Sequence, residues 1–295
     1  MRYRPLGNNG TAVSALSIVM PDEAPVRGET TRLIYAALEA GINFFEFAAH
    51  SDPAMLREAC QALGAVERDL VIVGLRLTHG RGERSLSTGS LQQALQTMLG
   101  EGKLGRLDII SLEAPHPGET ALPVFQALEK LRDARRLRYI GLSGDGESLD
   151  GHIDSGRFDV LHMPFSIASG WVERNRVKRA VAKDMIVAAS EFVPANLPAK
   201  PEGGATRGLK RLIGKAPDPV YQAYEFLYRS PDWTAEQICL AYALTEPSLA
   251  TIQVRVGKAD QIAPLASIPD REMPNGVPAL IEMARFSLAP EAKRA

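Results

Sequence analysis

The sequence predicts an α/β protein of the (β/α)8 class, the TIM barrel. Eight short apolar, strand-like runs alternate with helical segments along the 295 residues, a pattern typical of βαβ units, whose helices cover a parallel sheet. The G-x-G-x-x-G fingerprint that follows the first strand of many open doubly wound sheets is absent. We therefore expect one closed barrel domain over residues 1–288 and a flexible C-terminal tail over 289–295.

The predicted strands are short runs in which apolar residues dominate. Asp69–Leu77 is almost continuously apolar, as expected of a strand buried on both faces. The eight strands are predicted at Val13–Met20, Ile42–Phe47, Asp69–Leu77, Leu107–Glu113, Tyr139–Ser143, Val160–Met163, Ile186–Ser190 and Ala250–Val256.

Helices are predicted between these strands from apolar periodicity and end signals. Gly41 supplies a C-terminal stop for the first helix, and Asp52 with Pro53 supplies an N-cap and first position for the second. The helices are predicted at Glu29–Ala40, Pro53–Leu63, Ser87–Leu99, Leu122–Arg135, Val172–Lys183, Thr234–Leu244 and Val277–Ser287.

Composition narrows the functional classes. The chain is 45% hydrophobic and 23% charged, with a formal net charge of -1, so no overall field recruits nucleic acid or a membrane surface. No run is long enough to span a bilayer, and a cytoplasmic location is expected. Cys60 and Cys239 are predicted to be reduced, buried thiols.

Charged residues at the ends of three successive strands form the candidate site. Glu46 lies near the end of the second predicted strand, Arg76 near the end of the third, and Glu113 at the end of the fourth. Parallel strands bring these ends to one face of a barrel, where ligands bind. We predict a carboxylate–guanidinium–carboxylate cluster there. An ion cluster that fills the mouth without any catalytic role is the alternative, but the cost of desolvating such a cluster favours a role other than stability.

The longest irregular stretch, 194–219, follows the seventh predicted strand and is basic. It carries Lys200, Arg207, Lys210, Arg211 and Lys215 against Glu202 and Asp218. It is interpreted either as a lid over an anionic ligand or as a mobile, solvated loop, and charge alone favours the second reading.

Framework segments resemble the aldo-keto reductase family over nearly the whole chain. The most specific are Ala36–Phe45, Leu128–Ser143 and Thr234–Leu244. The resemblance implies an aldo-keto-reductase-like barrel, NADPH as cofactor, and a catalytic tetrad of aspartate, tyrosine, lysine and histidine. It does not by itself establish function.

By position, the resemblance assigns all four tetrad places to other residue types: Glu46 for aspartate, Ser51 for tyrosine, Arg76 for lysine and Glu113 for histidine. An aliphatic hydroxyl cannot replace a phenol as general acid, and a guanidinium binds an oxyanion but does not give up its proton. A one-residue shift of the loop would bring His50 to the tyrosine place, where an imidazolium is a competent acid. A surface histidine without a role is the alternative.

The resemblance also assigns the cofactor positions. Ser143 is the serine of the pair that holds the carboxamide, His162 stands where the family has glutamine, and Phe165 supplies the ring that stacks on nicotinamide. Arg255 and Lys258 are the cations near the 2′-phosphate, with ordinary solvated charges as the alternative reading. The pyrophosphate loop reads Glu191–Val193 here, and a carboxylate there repels phosphate.

Three functions are compatible with these residues. The first is a diverged enzyme acting on a small polar molecule, a lyase, isomerase or dehydratase, in which Arg76 anchors an oxyanion and Glu46 or Glu113 transfers a proton. The second is an atypical reductase that binds NADPH weakly and uses His50 as the acid. The third is a non-catalytic barrel with a protein partner. No metal-ligand spacing occurs among the five histidines.

Overall fold

The computed structural model describes residues 1–8, 10–23, 26–79, 86, 88–114, 122–197 and 219–288. Eight parallel strands, β3 to β10, close into a barrel in the order β10-β3-β4-β5-β6-β7-β8-β9, which confirms the predicted fold class. The strands are β1 Tyr3–Pro5, β2 Ala12–Ser14, β3 Leu16–Val19, β4 Phe44–Ala48, β5 Ile72–Leu77, β6 Leu107–Glu113, β7 Leu137–Ser143, β8 Val160–Pro164, β9 Ile186–Ser190 and β10 Leu249–Arg255.

The prediction of a single strand over Val13–Met20 is wrong, because the structure divides this run into two strands, β2 and β3. Its first part, β2, pairs antiparallel with β1, with Tyr3 opposite Ser14, and only β3 joins the barrel. The chain changes partners at Ala15, whose amide donates to the carbonyl oxygen of Arg2 at 2.9 Å. The β1–β2 hairpin packs Leu6 and Val13 against the apolar side chains at the amino ends of the barrel strands. This packing closes one end of the barrel interior.

The helices lie between the strands, as the βαβ pattern predicts. Every predicted helix has a counterpart, although the third ends as an α-helix at Leu95 and continues as a π-helix over Gln96–Glu101. The helices are α1 Glu29–Glu39, α2 Pro53–Gly64, α3 Thr88–Leu95, α4 Leu122–Asp133, α5 Ser148–Asp154, α6 Trp171–Ala182, α7 Pro219–Tyr224, α8 Ala235–Leu244, α9 Ile262–Ala266 and α10 Val277–Leu288.

The main apolar core lies between the sheet and its helices, where Phe45 and Phe47 of β4 are fully buried. Cys60 and Cys239 belong to this core as buried free thiols, as predicted. Burial raises the pKa of each thiol to about 12. Within the described part of the chain, no helix combines the length and apolar character that a membrane span requires.

Candidate functional site

A cavity of 360 Å³ opens at the carboxyl ends of the barrel strands, the face at which TIM barrels bind their ligands. We call it the mouth cavity. Six of the ten predicted site residues line it: His50, Arg76, Glu113, Ser143, His162 and Arg255. Its lining also includes Asp22, Asp145, Glu191 and Gln253. The other four predicted site residues, Glu46, Ser51, Phe165 and Lys258, do not line it.

Glu46 lies directly beneath the mouth cavity, and its side chain is 1% exposed. Gln253 Nε2 donates a hydrogen bond to Glu46 Oε2 at 2.8 Å, and Arg76 Nη1 lies 3.7 Å from the same oxygen. The other oxygen, Oε1, has no hydrogen-bond partner and lies 3.8 Å from Nδ1 of His162. A buried carboxylate with one free oxygen is an exception among buried polar groups and marks a candidate functional position.

His162 reaches Glu46 across the barrel interior. β8, which carries His162, lies opposite β4 in the closed strand order, so this contact crosses the barrel rather than joining neighbouring strands. The imidazole is 3% exposed, and neither ring nitrogen has a protein hydrogen bond of ordinary geometry. Burial lowers the pKa of His162 and the Arg76 charge lowers it further, while the Glu46 charge and the Gln253 amide oppose this shift.

Arg76 connects this buried group to the mouth cavity. It lies in β5 opposite Ala48 of β4 and Ser111 of β6, and its side chain is 16% exposed. Its guanidinium therefore balances the Glu46 charge while also lining the cavity. A guanidinium in this position can bind an anionic group of a ligand with two parallel hydrogen bonds.

The predicted three-member ion cluster forms only in part. Glu113 Oε2 accepts a hydrogen bond from the backbone amide of His79 at 2.7 Å and lies 3.1 Å from the ring Nδ1 of that residue. Among the described residues, no ion pair joins Arg76 to Glu113. Glu113 is the last residue of β6, beyond the level of Arg76, and its side chain is 43% exposed. It therefore turns to the chain segment after β5 instead of to the barrel interior.

The structure separates the two residues assigned to the tyrosine position, His50 and Ser51. His50 is exposed at the edge of the mouth cavity, where its Nε2 lies 3.5 Å from Oδ2 of Asp22. Ser51 is buried beside the N-terminus of α2, and its hydroxyl has no hydrogen-bond partner. Of the two, only His50 is placed to meet a molecule in the cavity.

Some of the predicted cofactor residues line the mouth cavity and others do not. Ser143 lines the cavity while its hydroxyl donates to the carbonyl oxygen of Leu112 at 3.3 Å, and Arg255 lines the cavity from the end of β10. Phe165 is 1% exposed in the outer core, with the guanidinium of Arg174 5.3 Å from its ring centroid. This placement does not present the Phe165 ring to the mouth. Lys258 is exposed beyond β10 and does not line the cavity.

Gln253, His79 and Asp145 are among the polar residues at or near the mouth that were not identified as candidates from the sequence. Gln253 positions Glu46, His79 binds Glu113, and Asp145 adds a carboxylate after β7. A polar residue in the otherwise apolar strand β10 was the available signal for Gln253. Nothing comparable marks His79 or Asp145, because both lie in loops.

Residues 198–218, which carry all the basic side chains of the predicted lid, lie outside the described residues, as does the tail 289–295. In the parts of the chain that are described, no group of three or more His, Cys, Asp or Glu side chains is arranged to hold a metal ion.

The fold and this cavity together define a (β/α)8 barrel with a ligand-sized site at its carboxyl-terminal face. The chain belongs to the aldo/keto reductase family, whose sequence profile matches residues 21–275. Its fold is similar to that of the aldo-keto reductase AKR11C1 from Bacillus halodurans. The TM-score is 0.74 for the holo form and 0.72 for the apo form, in each case at 18% identity over 100% of both chains. A comparison with curated proteins gives no match.

Proposed function

We propose that this barrel is a diverged family member that performs acid–base chemistry on a small polar molecule, as in an isomerase, lyase or dehydratase. The observation that carries the proposal is the buried contact between His162 and Glu46 at the floor of the mouth cavity, beside the Arg76 guanidinium. Buried titratable groups with a specific charge partner are concentrated at catalytic sites.

His162 is the proton acceptor in this proposal. Its lowered pKa keeps the imidazole neutral near pH 7, and a neutral ring nitrogen can take a proton from a substrate carbon or hydroxyl. The imidazolium that forms lies 3.8 Å from the Glu46 carboxylate, which stabilises its charge. Glu46 itself is too deeply buried to meet the substrate, so it acts as a positioning residue.

Arg76 and Glu113 complete the proposed set of functional residues. Arg76 binds the anionic group of the substrate and places the reacting atom near His162. Glu113 lines the same cavity and is accessible, so its carboxylate is placed to accept a hydrogen bond from the substrate, while the His162 imidazolium returns the proton that it took. In the sequence analysis, Glu46 was a candidate for proton transfer; in this proposal His162 takes that role.

The residues of the mouth do not fit a nicotinamide dinucleotide held in the manner that the family resemblance implies. Phe165, the expected stacking ring, is buried in the outer core. Glu191 brings a carboxylate to the cavity at the position assigned to the pyrophosphate loop, and like charges at short range repel. The proposed mechanism therefore uses no hydride transfer.

The proposal is tested by deuterium incorporation. The full chain is incubated in D₂O with small carboxylates that carry acidic α-hydrogens, and loss of the α-hydrogen signal is followed by ¹H NMR. We expect wild type to catalyse exchange with at least one of these compounds and His162→Gln to abolish that exchange. The same compound should still raise the melting temperature of His162→Gln, which would show that the variant still binds it. A compound that binds wild type and exchanges equally fast with His162→Gln would contradict the role of His162.

The second candidate is an atypical NADPH-dependent reductase, which family membership favours. Ser143 and Arg255, two of the positions assigned to the cofactor, line the mouth cavity. Turnover of a simple aldehyde with NADPH, lost in Arg76→Ala, would support this candidate over the acid–base enzyme.

A further inference from the structure

Among the described residues that line the mouth cavity, negative charge is in excess. Four carboxylates line it, those of Asp22, Glu113, Asp145 and Glu191, against the guanidiniums of Arg76 and Arg255. Glu46, directly below, balances Arg76. An acidic rim of this kind attracts cations and repels molecules with several negative charges.

The charges are distributed unevenly around the barrel. Asp145 follows β7 and Glu191 follows β9, so these two carboxylates flank β8, which carries His162. Glu113 ends β6, next to β5, and Arg255 ends β10, next to β9. β5 with Arg76 lies opposite β9 in the closed strand order. A molecule that spans the mouth from β5 to β9 therefore meets the Arg76 guanidinium at one end and the Glu191 carboxylate at the other.

Two of these carboxylates are available for a ligand. Asp22 faces His50 and Glu113 is bound by His79, whereas no ion pair involves Asp145 or Glu191 within the described residues. Glu191 has a φ of 50°, an uncommon left-handed conformation for a residue other than glycine. Such conformations are concentrated at functional sites.

Buried polar atoms at the floor of the cavity give an independent indication of a ligand. Gln253 Oε1 and both ring nitrogens of His162 lack protein hydrogen bonds of ordinary geometry. Both residues are more than nine-tenths buried, and both line the cavity. Buried polar groups of this type are normally satisfied, so a polar ligand or ordered water is expected to contact them.

Building on the proposed function, we propose that the substrate is a small zwitterion that carries one carboxylate and one ammonium group. Its carboxylate binds Arg76, and its ammonium group binds Asp145 and Glu191 across the mouth. The cavity volume of 360 Å³ lies near the lower end of the range for small-molecule sites, which suits a ligand of amino-acid size. This substrate class follows from the placement of the charges. A ligand with a carboxylate alone would leave Asp145 and Glu191 without a counter-charge, and a ligand with an ammonium group alone would leave Arg76 without a ligand group.

The test compares three probes of similar size: L-alanine, propionate and ethylamine. Binding of each to the full chain is measured by ligand-observed NMR titration. Wild type is expected to bind L-alanine at least about tenfold more tightly than propionate or ethylamine, since a tenfold ratio needs only about 1.4 kcal/mol. Glu191→Gln and Asp145→Asn are each expected to reduce this preference and to leave propionate binding unchanged. Arg76→Gln is expected to weaken both carboxylate probes.

The matched control is Glu101→Gln, which removes an exposed carboxylate that pairs with Arg57 away from the mouth and should preserve the preference for L-alanine. Equal affinity for L-alanine and propionate in wild type, or no binding of any probe at tens of millimolar, would overturn the zwitterion proposal. Deuterium exchange of other small carboxylates would then still support the acid–base function. Conversely, selective binding of L-alanine without deuterium exchange in any tested compound would support the zwitterion proposal and count against the proposed acid–base function.

Discussion

Nδ1 of His162 lies 3.8 Å from Oε1 of Glu46, and this contact joins opposite walls of the barrel. This separation is longer than a hydrogen bond, and neither atom has a protein hydrogen bond of ordinary geometry. The pair is therefore held by the two strands that carry it and by Gln253 and Arg76 beside Glu46. This arrangement leaves both ring nitrogens of His162, a residue that lines the cavity, and Oε1 of Glu46 beneath it without ordinary hydrogen bonds.

The lowered pKa of His162 predicts a dependence of stability on pH. In the unfolded chain a histidine binds a proton near pH 6.5, whereas the folded protein resists protonation of His162 until a lower pH. The unfolded state therefore binds more protons in this window, and stability falls as the pH decreases below 6.5. The contribution of one such group is at most about 1.4 kcal/mol per pH unit.

Urea unfolding of wild type and His162→Gln between pH 7.5 and 5.5 checks this expectation. The variant should lose less stability than wild type as the pH falls, because glutamine does not titrate. The other four histidines are present in both proteins and cancel in the comparison. Parallel pH profiles for the two proteins would mean that His162 takes up a proton as readily in the fold as outside it.

Removal of the Glu46 carboxylate is expected to destabilise the protein. In Glu46→Ala, the Arg76 guanidinium loses its counter-charge and the Gln253 amide loses its acceptor. We expect a loss of about 2–4 kcal/mol in the free energy of unfolding, since breaking a buried pair leaves a charge uncompensated. Chemical denaturation measures this loss.

Glu101→Ala is the matched control for this prediction. The Arg57–Glu101 pair has a similar separation, 3.3 Å, but both side chains are about half exposed. Its loss should cost less than about 1 kcal/mol. Similar losses for Glu46→Ala and Glu101→Ala would show that burial of the Glu46 pair has little effect on stability.

Gly141 is required by close packing inside the barrel. It pairs in register with Ser111 of β6, and a Cβ atom at position 141 would lie 2.4 Å from the Ser111 hydroxyl oxygen. Gly141→Ala should therefore cost about 1–3 kcal/mol of stability, as overpacking does in cores. Ser111→Ala in the same chain should recover part of the loss, because it removes the clashing oxygen but keeps the Cβ and Cα atoms of residue 111 at 3.1 and 3.2 Å from the added Cβ.

A double-mutant cycle in urea checks this coupling. The Ser111 hydroxyl has no hydrogen-bond partner, so Ser111→Ala alone should change stability little. Additive effects of the two substitutions would contradict the proposed clash, since independent sites show no interaction energy.

Asp108 is predicted to stabilise the fold without any role in ligand binding. Its carboxylate is fully buried in the first half of β6, where it accepts hydrogen bonds from Arg68 at 2.6 Å and from the Val73 amide at 2.9 Å. Asp108→Asn should lower the free energy of unfolding by about 2–4 kcal/mol because the arginine loses its buried counter-charge. Probe binding at the mouth, measured by NMR, should be unchanged; a loss of binding would show that the two ends of the barrel are coupled.

The fold could be predicted from the sequence because its signals are local. Apolar runs and helical periodicity recur in every βαβ unit, and the resulting parallel barrel follows from their alternation. The β1–β2 hairpin was not predicted, because the run from Val13 to Met20 is apolar on both sides of the point at which the chain changes partners. Helices α5, α7 and α9 are too short to show a clear period.

Within the candidate site, only contacts between residues on neighbouring strands could be predicted from the sequence. Glu46 and Arg76 were expected to meet because they lie near the ends of neighbouring strands, and they do. The contacts of Glu46 with His162 and Gln253 come from β8 and β10, which are not its neighbours in the sheet. Such contacts depend on the curvature of the closed barrel, which local sequence patterns do not specify.

Titration of the purified full chain with NADPH, followed by cofactor fluorescence, tests the central claim of rebuilt chemistry most directly. The acidic mouth and the buried Phe165 ring predict no saturable change at micromolar NADPH. Saturable micromolar binding that Arg255→Gln weakens would contradict this account and identify the barrel as a nicotinamide-dependent reductase.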